Sequence, residues 1–229
     1  MGGRPLTYVR GSANMGLNTL KFVTGDLEEN CYVVWREGRS YAVIFDPGWD
    51  AEKIMRALRD RGLSIVAFLQ THCHGDHIGA LTPLKAAFPA APLYVPEAEK
   101  DWLTRPTLNL SYFYGQPLTA PPPDILVKDG DVIDVASLSF KAIHVPGHSP
   151  GGTAYYISVP GETPHLLCGD ILFQGSIGRT DLPGGGGEEF LVEGIRKKLF
   201  PLPAETLVHP GHGEDTTIGA EKASNPFCR

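Results

Sequence analysis

Apolar and polar positions along the chain fall into short blocks whose period changes from block to block. Residues 17–23, 30–36 and 41–46 are rich in β-branched and aromatic side chains, and the polar turns Asp-Leu-Glu-Glu and Glu-Gly-Arg-Ser separate them. That pattern predicts three consecutive strands. Asp46-Pro47-Gly48 reads as a turn. Residues 51–61 then place Ile54 and Leu58, with Met55 beside them, on one face of a 3.6-residue period, and Gly62 supplies a stop, so a helix is predicted. Residues 64–70, SIVAFLQ, make a mostly apolar run of strand length, as expected for a strand covered on both faces. Residues 76–87 read as one helix.

Residues 119–124, TAPPPD, exclude helix and central strand, because proline has no N–H to donate. They are expected to connect two halves. The second half repeats the plan, with strands predicted at 125–127, 132–135, 138–145, 154–159, 165–168 and 206–209 and a helix at 188–199. Strands with interspersed helices in each half predict an α/β fold in which two sheets pack together with helices outside.

Composition narrows the class. A chain of 229 residues with 42% apolar and 20% charged residues is an ordinary globular protein, able to bury a core without disulfide staples. Residues 15–229 are expected to form one domain, and residues 1–14 a disordered extension ahead of it. The net charge is -6 and no lysine- or arginine-rich run occurs, which excludes nucleic acid and anionic membrane as partners. Gly (27) and Pro (20) make up about one residue in five, pointing to many shaped loops. Cys31, Cys73, Cys168 and Cys228 form no CxxC pair, no apolar run reaches ~18 residues, and the N-terminus lacks a signal-peptide core. A reducing, cytoplasmic location is the expectation.

The chemistry is concentrated in Thr71-His72-Cys73-His74-Gly75-Asp76-His77, where four metal-capable side chains follow a predicted strand within six residues. In extended backbone, residues i and i+2 point to the same side. His72 and His74 can thus face one metal while Cys73 turns away to pack, and Asp76 and His77 can reach a second metal once Gly75 turns the chain. His148, Asp170 and His212 each follow a predicted strand and a glycine, Gly147, Gly169 and Gly211. Imidazole and carboxylate donors suit Zn, Fe and Mn. His144, His165 and His209 carry no such setting and read as structural or surface residues, with His209 expected to stack under the loop of His212. The run from Gly184 to Gly187 lacks the Lys-Ser/Thr ending of a phosphate loop.

The motif His72-x-His74-x-Asp76-His77, followed in order by His148, Asp170 and His212, resembles the metallo-β-lactamase superfamily over nearly the whole chain. The resemblance implies an αββα four-layer sandwich of two mixed sheets. It also implies two divalent ions, zinc first and iron or manganese as alternatives. His72, His74 and His148 would hold one ion and Asp76, His77 and His212 the other, with Asp170 between them. Metallo-β-lactamases proper usually lack the bridging aspartate, so antibiotic hydrolysis is not expected. The strings around Gly169–Gly185 and Pro210–Phe227 are similar to short, single-domain glyoxalase II-like hydrolases. Full-length glyoxalase II acts on S-lactoylglutathione and uses a C-terminal helical domain to bind glutathione. With 17 residues after His212, this chain is expected to lack that domain.

The implied reaction is attack of metal-activated water on a small-molecule thioester or ester, with Asp76 catalytic as well as a ligand. A persulfide dioxygenase is the alternative, holding one iron on His72, His148 and Asp170; a hydrolase of other esters or lactones is another. Arg179 is expected either to bind an anionic end of the substrate or to brace its loop through Asp181. Tyr112 and Tyr114 are expected to shape the acyl pocket or, more simply, to pack in the core. Asp46 is expected to brace a ligand rather than bind metal.

Overall fold

The computed structural model describes residues 16–229, so the extension expected at residues 1–14 lies outside the described residues. The first sheet runs in simple spatial order through β1 (Leu17–Thr24), β2 (Glu29–Arg36), β3 (Tyr41–Phe45), β4 (Ser64–Leu69), β5 (Leu93–Pro96) and β6 (Ile125–Val127). Its first three strands are antiparallel, and β3 through β6 are parallel. The second sheet contains β7 (Val132–Val135), β8 (Leu138–His144), β9 (Thr153–Ile157) and β10 (His165–Gly169). A small hairpin, β11 (Leu172–Phe173) with β12 (Ser176–Ile177), stands apart, and β13 (Leu207–Pro210) and β14 (Thr216–Thr217) complete the second sheet beyond β10.

Strand alternation sorts the apolar residues into three cores. On β2 and β3, Cys31, Val33, Ala42 and Ile44 face α1 (Ala51–Asp60) and its neighbours, while Tyr32, Val34, Val43 and Phe45 face the other sheet. Phe45 meets Phe140 at 5.4 Å and Tyr155 at 5.6 Å between ring centroids, closing the layer between the sheets. The third core lies between the second sheet and the helical segment that begins with α4, further along the chain (Leu191, Ile195, Leu199). Four layers in the order helix, sheet, sheet, helix follow, as the sequence resemblance implied.

The structure departs from the sequence expectations at several places, and β5, β11 and β12 were not anticipated. The helix expected over 76–87 breaks at Gly79–Ala80 into α2 (Gly75–Ile78) and α3 (Leu81–Ala87). At the break the Ala80 N–H donates to the Pro47 carbonyl at 3.0 Å, and Gly79 lies too close to Trp49 and the Gly48 carbonyl to carry a side chain. The strand at 125–127 belongs to the first sheet, not the second, because it pairs parallel with β5; the boundary between halves therefore follows Val127. The helix expected over 188–199 is α4 (Glu188–Gly194) continued by a π-helical turn over Ile195–Leu199. The chain after β13 forms β14 and α5 (Ile218–Ser224), which the weak apolar pattern there did not announce. Among the described residues no helix is long and apolar enough to cross a membrane, and all four cysteines are buried and free.

Candidate metal centre

Each residue of the seven-member cluster lies at or beyond the C-terminal end of a strand. His72 and His74 follow β4, Asp76 and His77 ride on α2, His148 follows β8, Asp170 follows β10 and His212 follows β13. Ligand sites of α/β proteins form at that edge, where loops diverge. The end of β4 is pinned from the opposite sheet, since the Tyr155 hydroxyl donates to the Gln70 carbonyl at 2.9 Å. Gln70 in turn donates from Nε2 to the His77 carbonyl at 3.1 Å.

All seven side chains converge. The ligand-capable atoms of His72, His74 and His148 lie within 4.8 Å of one another, and so do those of Asp76, His77 and His212. His148 Nε2 is 2.9 Å from His74 Nδ1 and 3.2 Å from His72 Nε2. Asp170 stands between the two groups: Oδ1 is 3.5 Å from His77 Nε2, and Oδ2 is 3.5 Å from His148 Nε2 and 3.6 Å from His212 Nε2. A third triple, Asp46 with His72 and His77, is also close. Asp46 is already occupied, because its oxygens accept from Thr71 N at 2.7 Å, Thr71 Oγ1 at 2.5 Å and His77 Nδ1 at 3.2 Å.

The donor set fits divalent metal. His77 Nε2, His74 Nε2 and Asp170 Oδ1 are buried with no hydrogen-bond partner, and three imidazoles bring ring nitrogens to within 4.8 Å of one another. Buried polar atoms left so are costly unless a cation satisfies them. Four of the histidines are anchored by the opposite ring nitrogen. His148 Nδ1 donates to the Arg179 carbonyl at 2.8 Å, His212 Nδ1 to the Leu27 carbonyl at 3.0 Å, His77 Nδ1 to Asp46, and His72 Nδ1 sits 3.2 Å from Thr71 Oγ1. A proton on Nδ1 leaves the Nε2 lone pair facing inward.

Burial, and then the neighbouring imidazoles, push His72 and His74 well below the usual histidine range, so both are neutral, as metal donors must be. Burial opposes ionisation of Asp76, but His77 and His212 outweigh it and hold the carboxyl below its usual range. Burial likewise opposes the charge on His77, yet Asp76 and Asp170 pull it upward, and His212 shifts the same way. A proton and a metal ion therefore compete for this second group.

Glycine at 211 is required by space: a Cβ there would sit 2.2 Å from Asp170 Oδ1 and 2.8 Å from the His77 ring. Glu29 escaped the sequence reading. It is fully buried, takes a hydrogen bond from Thr24 Oγ1 at 2.7 Å, and sets its unpartnered Oε1 3.8 Å from His77 Nδ1. Its place at the start of β2 puts it there, and no local motif reveals it. Burial pushes its carboxyl well up, against the pull of His77.

A cavity of about 380 Å³ opens beside Asp76, lined by Leu27, Trp49, Asp50, Ser111, Tyr114 and Gln116 among others. Tyr112 and Tyr114 are not core residues; they are 59% and 52% exposed, and of the two only Tyr114 reaches the cavity. The tight turn over 105–118 carries them outward. Arg179 pairs with Asp181 at 2.8 Å in the open, its side chain 63% exposed, and does not line that cavity. His209 stacks on His165, with ring centroids 5.1 Å apart, and its Nδ1 is 2.8 Å from Asp215, in the loop that carries His212.

Residues 24–212 match the family model of the metallo-beta-lactamase superfamily. Over 202 residues the chain is 35% identical to the hydroxyacylglutathione hydrolase GloC of Haemophilus influenzae, covering 87% of this chain and 92% of that protein. Among solved structures it is similar to the BLEG-1 B3 metallo-beta-lactamase (40% identity, TM-score 0.87, 92% of this chain and 99% of that one). It is also similar to TTHA1623 in a di-iron-bound form (35% identity, TM-score 0.78, 91% and 99%). With the seven side chains at one sheet edge of an αββα sandwich, and a family match across most of its length, the chain belongs to the metallo-beta-lactamase superfamily.

Proposed function

We propose that this metallo-hydrolase cleaves a small thioester of the S-2-hydroxyacyl type, using two divalent ions held by the cluster. The observation that carries the reading is Asp170, whose carboxylate lies between the two ligand groups, Oδ1 toward His77 and Oδ2 toward both His148 and His212. His72, His74 and His148 would hold one ion, Asp76, His77 and His212 the other, and Asp170 would be shared. Bound there, such ions lower the pKa of water toward 7 and polarise a carbonyl.

The chain's own residues do the rest. Asp76 stays ionised and faces the cavity, so it orients the incoming water as well as serving its ion. Trp49, Leu27 and Tyr114 offer apolar surface to the acyl group, and Ser111 and Gln116 offer polar contacts. Water adds to the carbonyl, the carbon–sulfur bond breaks, and the products are a carboxylic acid and a thiol. A thiolate leaves without a strong general acid, which suits a cavity that presents none. The likeness to GloC supports this substrate class. The likeness to BLEG-1 supports a second reading, hydrolysis of a β-lactam amide.

The test is a metal-quantified assay on S-lactoylglutathione, simpler thioesters, a β-lactam and glutathione persulfide in parallel. Thioester turnover with about two metals per chain is expected, and Asp170→Ala should lower turnover and metal affinity by about a hundredfold. Oxygen uptake on the persulfide by a protein holding one iron would instead establish the dioxygenase. β-Lactam turnover with inert thioesters would establish the second reading.

A further inference from the structure

Glu99 is a fully buried carboxylate with no part in the chemistry above. It lies in a short 3-10 turn, Glu97–Glu99, directly after β5 of the first sheet. Oε2 accepts from Cys73 N at 2.6 Å, and Oε1 accepts from Gly151 N at 2.7 Å. Cys73 is the residue between His72 and His74. Gly151 is in the loop that carries His148 and leads into β9 of the second sheet. One carboxylate thus ties together the two loops, from opposite halves of the sandwich, that supply all three histidines of the first group. The fit leaves no slack, since a Cβ on Gly151 would lie 2.7 Å from Glu99 Cδ and Oε1.

His74 depends on this tie more than its neighbours do. The other four histidines of the cluster have a ring nitrogen set against an oxygen outside it. His74 turns Nδ1 toward His148, and its buried Nε2 has no partner. Its orientation therefore rests on its main chain, held on one side at Cys73 by Glu99 and on the other at Gly75 by the Asn109 carbonyl at 2.7 Å, and on the Trp102 ring 5.6 Å away. Trp102 and Glu99 come from the same short stretch of chain.

We infer that Glu99 is a positioning residue that sets the metal affinity of the His72–His74–His148 group and not that of the Asp76–His77–His212 group. Glutamate is required because two N–H donors need two acceptor oxygens. Glutamine would set its own N–H₂ against one of them, and aspartate keeps both acceptors but is one methylene too short to span the loops.

The inference rests on the two-group ligand reading but not on the thioester. The experiment is a chelator-competition titration with Zn(II) in two backgrounds: His212→Ala, which weakens the second group, and His148→Ala, which weakens the first. In the His212→Ala protein, Glu99→Gln is expected to weaken the remaining zinc by about 10–100-fold. In the His148→Ala protein it should change affinity less than about twofold. Glu99→Asp should fall between wild type and Glu99→Gln, and serves in its place if Glu99→Gln does not fold. Equal losses in both backgrounds would make Glu99 a general structural brace and overturn the inference, as would no loss in either. If the His212→Ala protein with Glu99 intact binds no zinc, the ligand reading itself fails and takes the inference with it.

Discussion

The His148 ring is held by the main chain of Arg179, with Nδ1 2.8 Å from the carbonyl oxygen, while the Arg179 side chain turns away to Asp181. Sequence singled out the arginine for its charge; the structure uses its peptide. Arg179→Ala should therefore keep full metal stoichiometry. The lost ion pair is exposed on both sides, so kcat/KM should change by less than about fivefold. Metal analysis and steady-state kinetics check this, and a large loss of metal would show that the guanidinium supports His148 after all.

Asp46 concentrates three hydrogen bonds on one buried carboxylate, two from Thr71 and one involving His77 Nδ1. Asn at this position must set an N–H₂ against a donor. Asp46→Asn is expected to lower metal affinity at the His77 group by about 10–100-fold with the circular dichroism spectrum unchanged. Unaltered affinity in a chelator competition would remove Asp46 from the support of that group.

Charge around the cavity bears on the thiol half of the substrate. The described residues that line it include Asp26, Asp50 and Asp76 but no lysine or arginine. A thioester of a neutral thiol, such as N-acetylcysteamine, should be used at least as well as the glutathione thioester, which carries two carboxylates and a net negative charge. Asp26→Asn with Asp50→Asn should lower KM for the glutathione thioester about two- to fivefold, the size expected of exposed charges. A firm preference for the glutathione thioester, unmoved by the double substitution, would sink this expectation.

His165 gives the fold a pH dependence outside the metal site. Burial, and then the adjacent His209, push its imidazole down from 6.5 to about 4. Above pH 6.5 the ring is neutral in folded and unfolded chains, and its contribution to stability is complete. Between 6.5 and 4 the unfolded chain takes up the proton first, so stability falls as pH falls through that window. The ring is partly exposed, which limits the effect to about 1 kcal/mol. Urea unfolding at pH 7 and pH 4.5 should show wild type losing more than His165→Gln between the two; equal losses would refute the assignment.

Much of this molecule is written locally. The run from His72 to His77 follows an apolar strand, and its spacing alone turns two side chains one way and two another. Most strands of both sheets were legible for a similar reason: they carry apolar runs or alternations of their own, as at Cys31–Val34 and Phe140–Ile143, whereas β5 and β14 were not anticipated. Weak local pattern hid α5, and the break in the helix that residues 76–87 suggested comes with a tertiary hydrogen bond, from Ala80 N to the Pro47 carbonyl, that no local pattern announces.

What only the tertiary structure decided are the partnerships between distant positions. β6 joined the first sheet because β5 offered a free edge, which no feature of Ile125–Val127 specifies. Tyr112 and Tyr114 ended outside because their loop turns outward, although their composition suits a core. Glu29, Glu99 and the carbonyls of Leu27 and Arg179 support the histidines from remote parts of the chain. A carbonyl has no residue signature, and a buried glutamate looks like any other until the fold removes its water. The sequence by itself determined which side chains could meet a metal; the packing of two sheets determined what holds those side chains still.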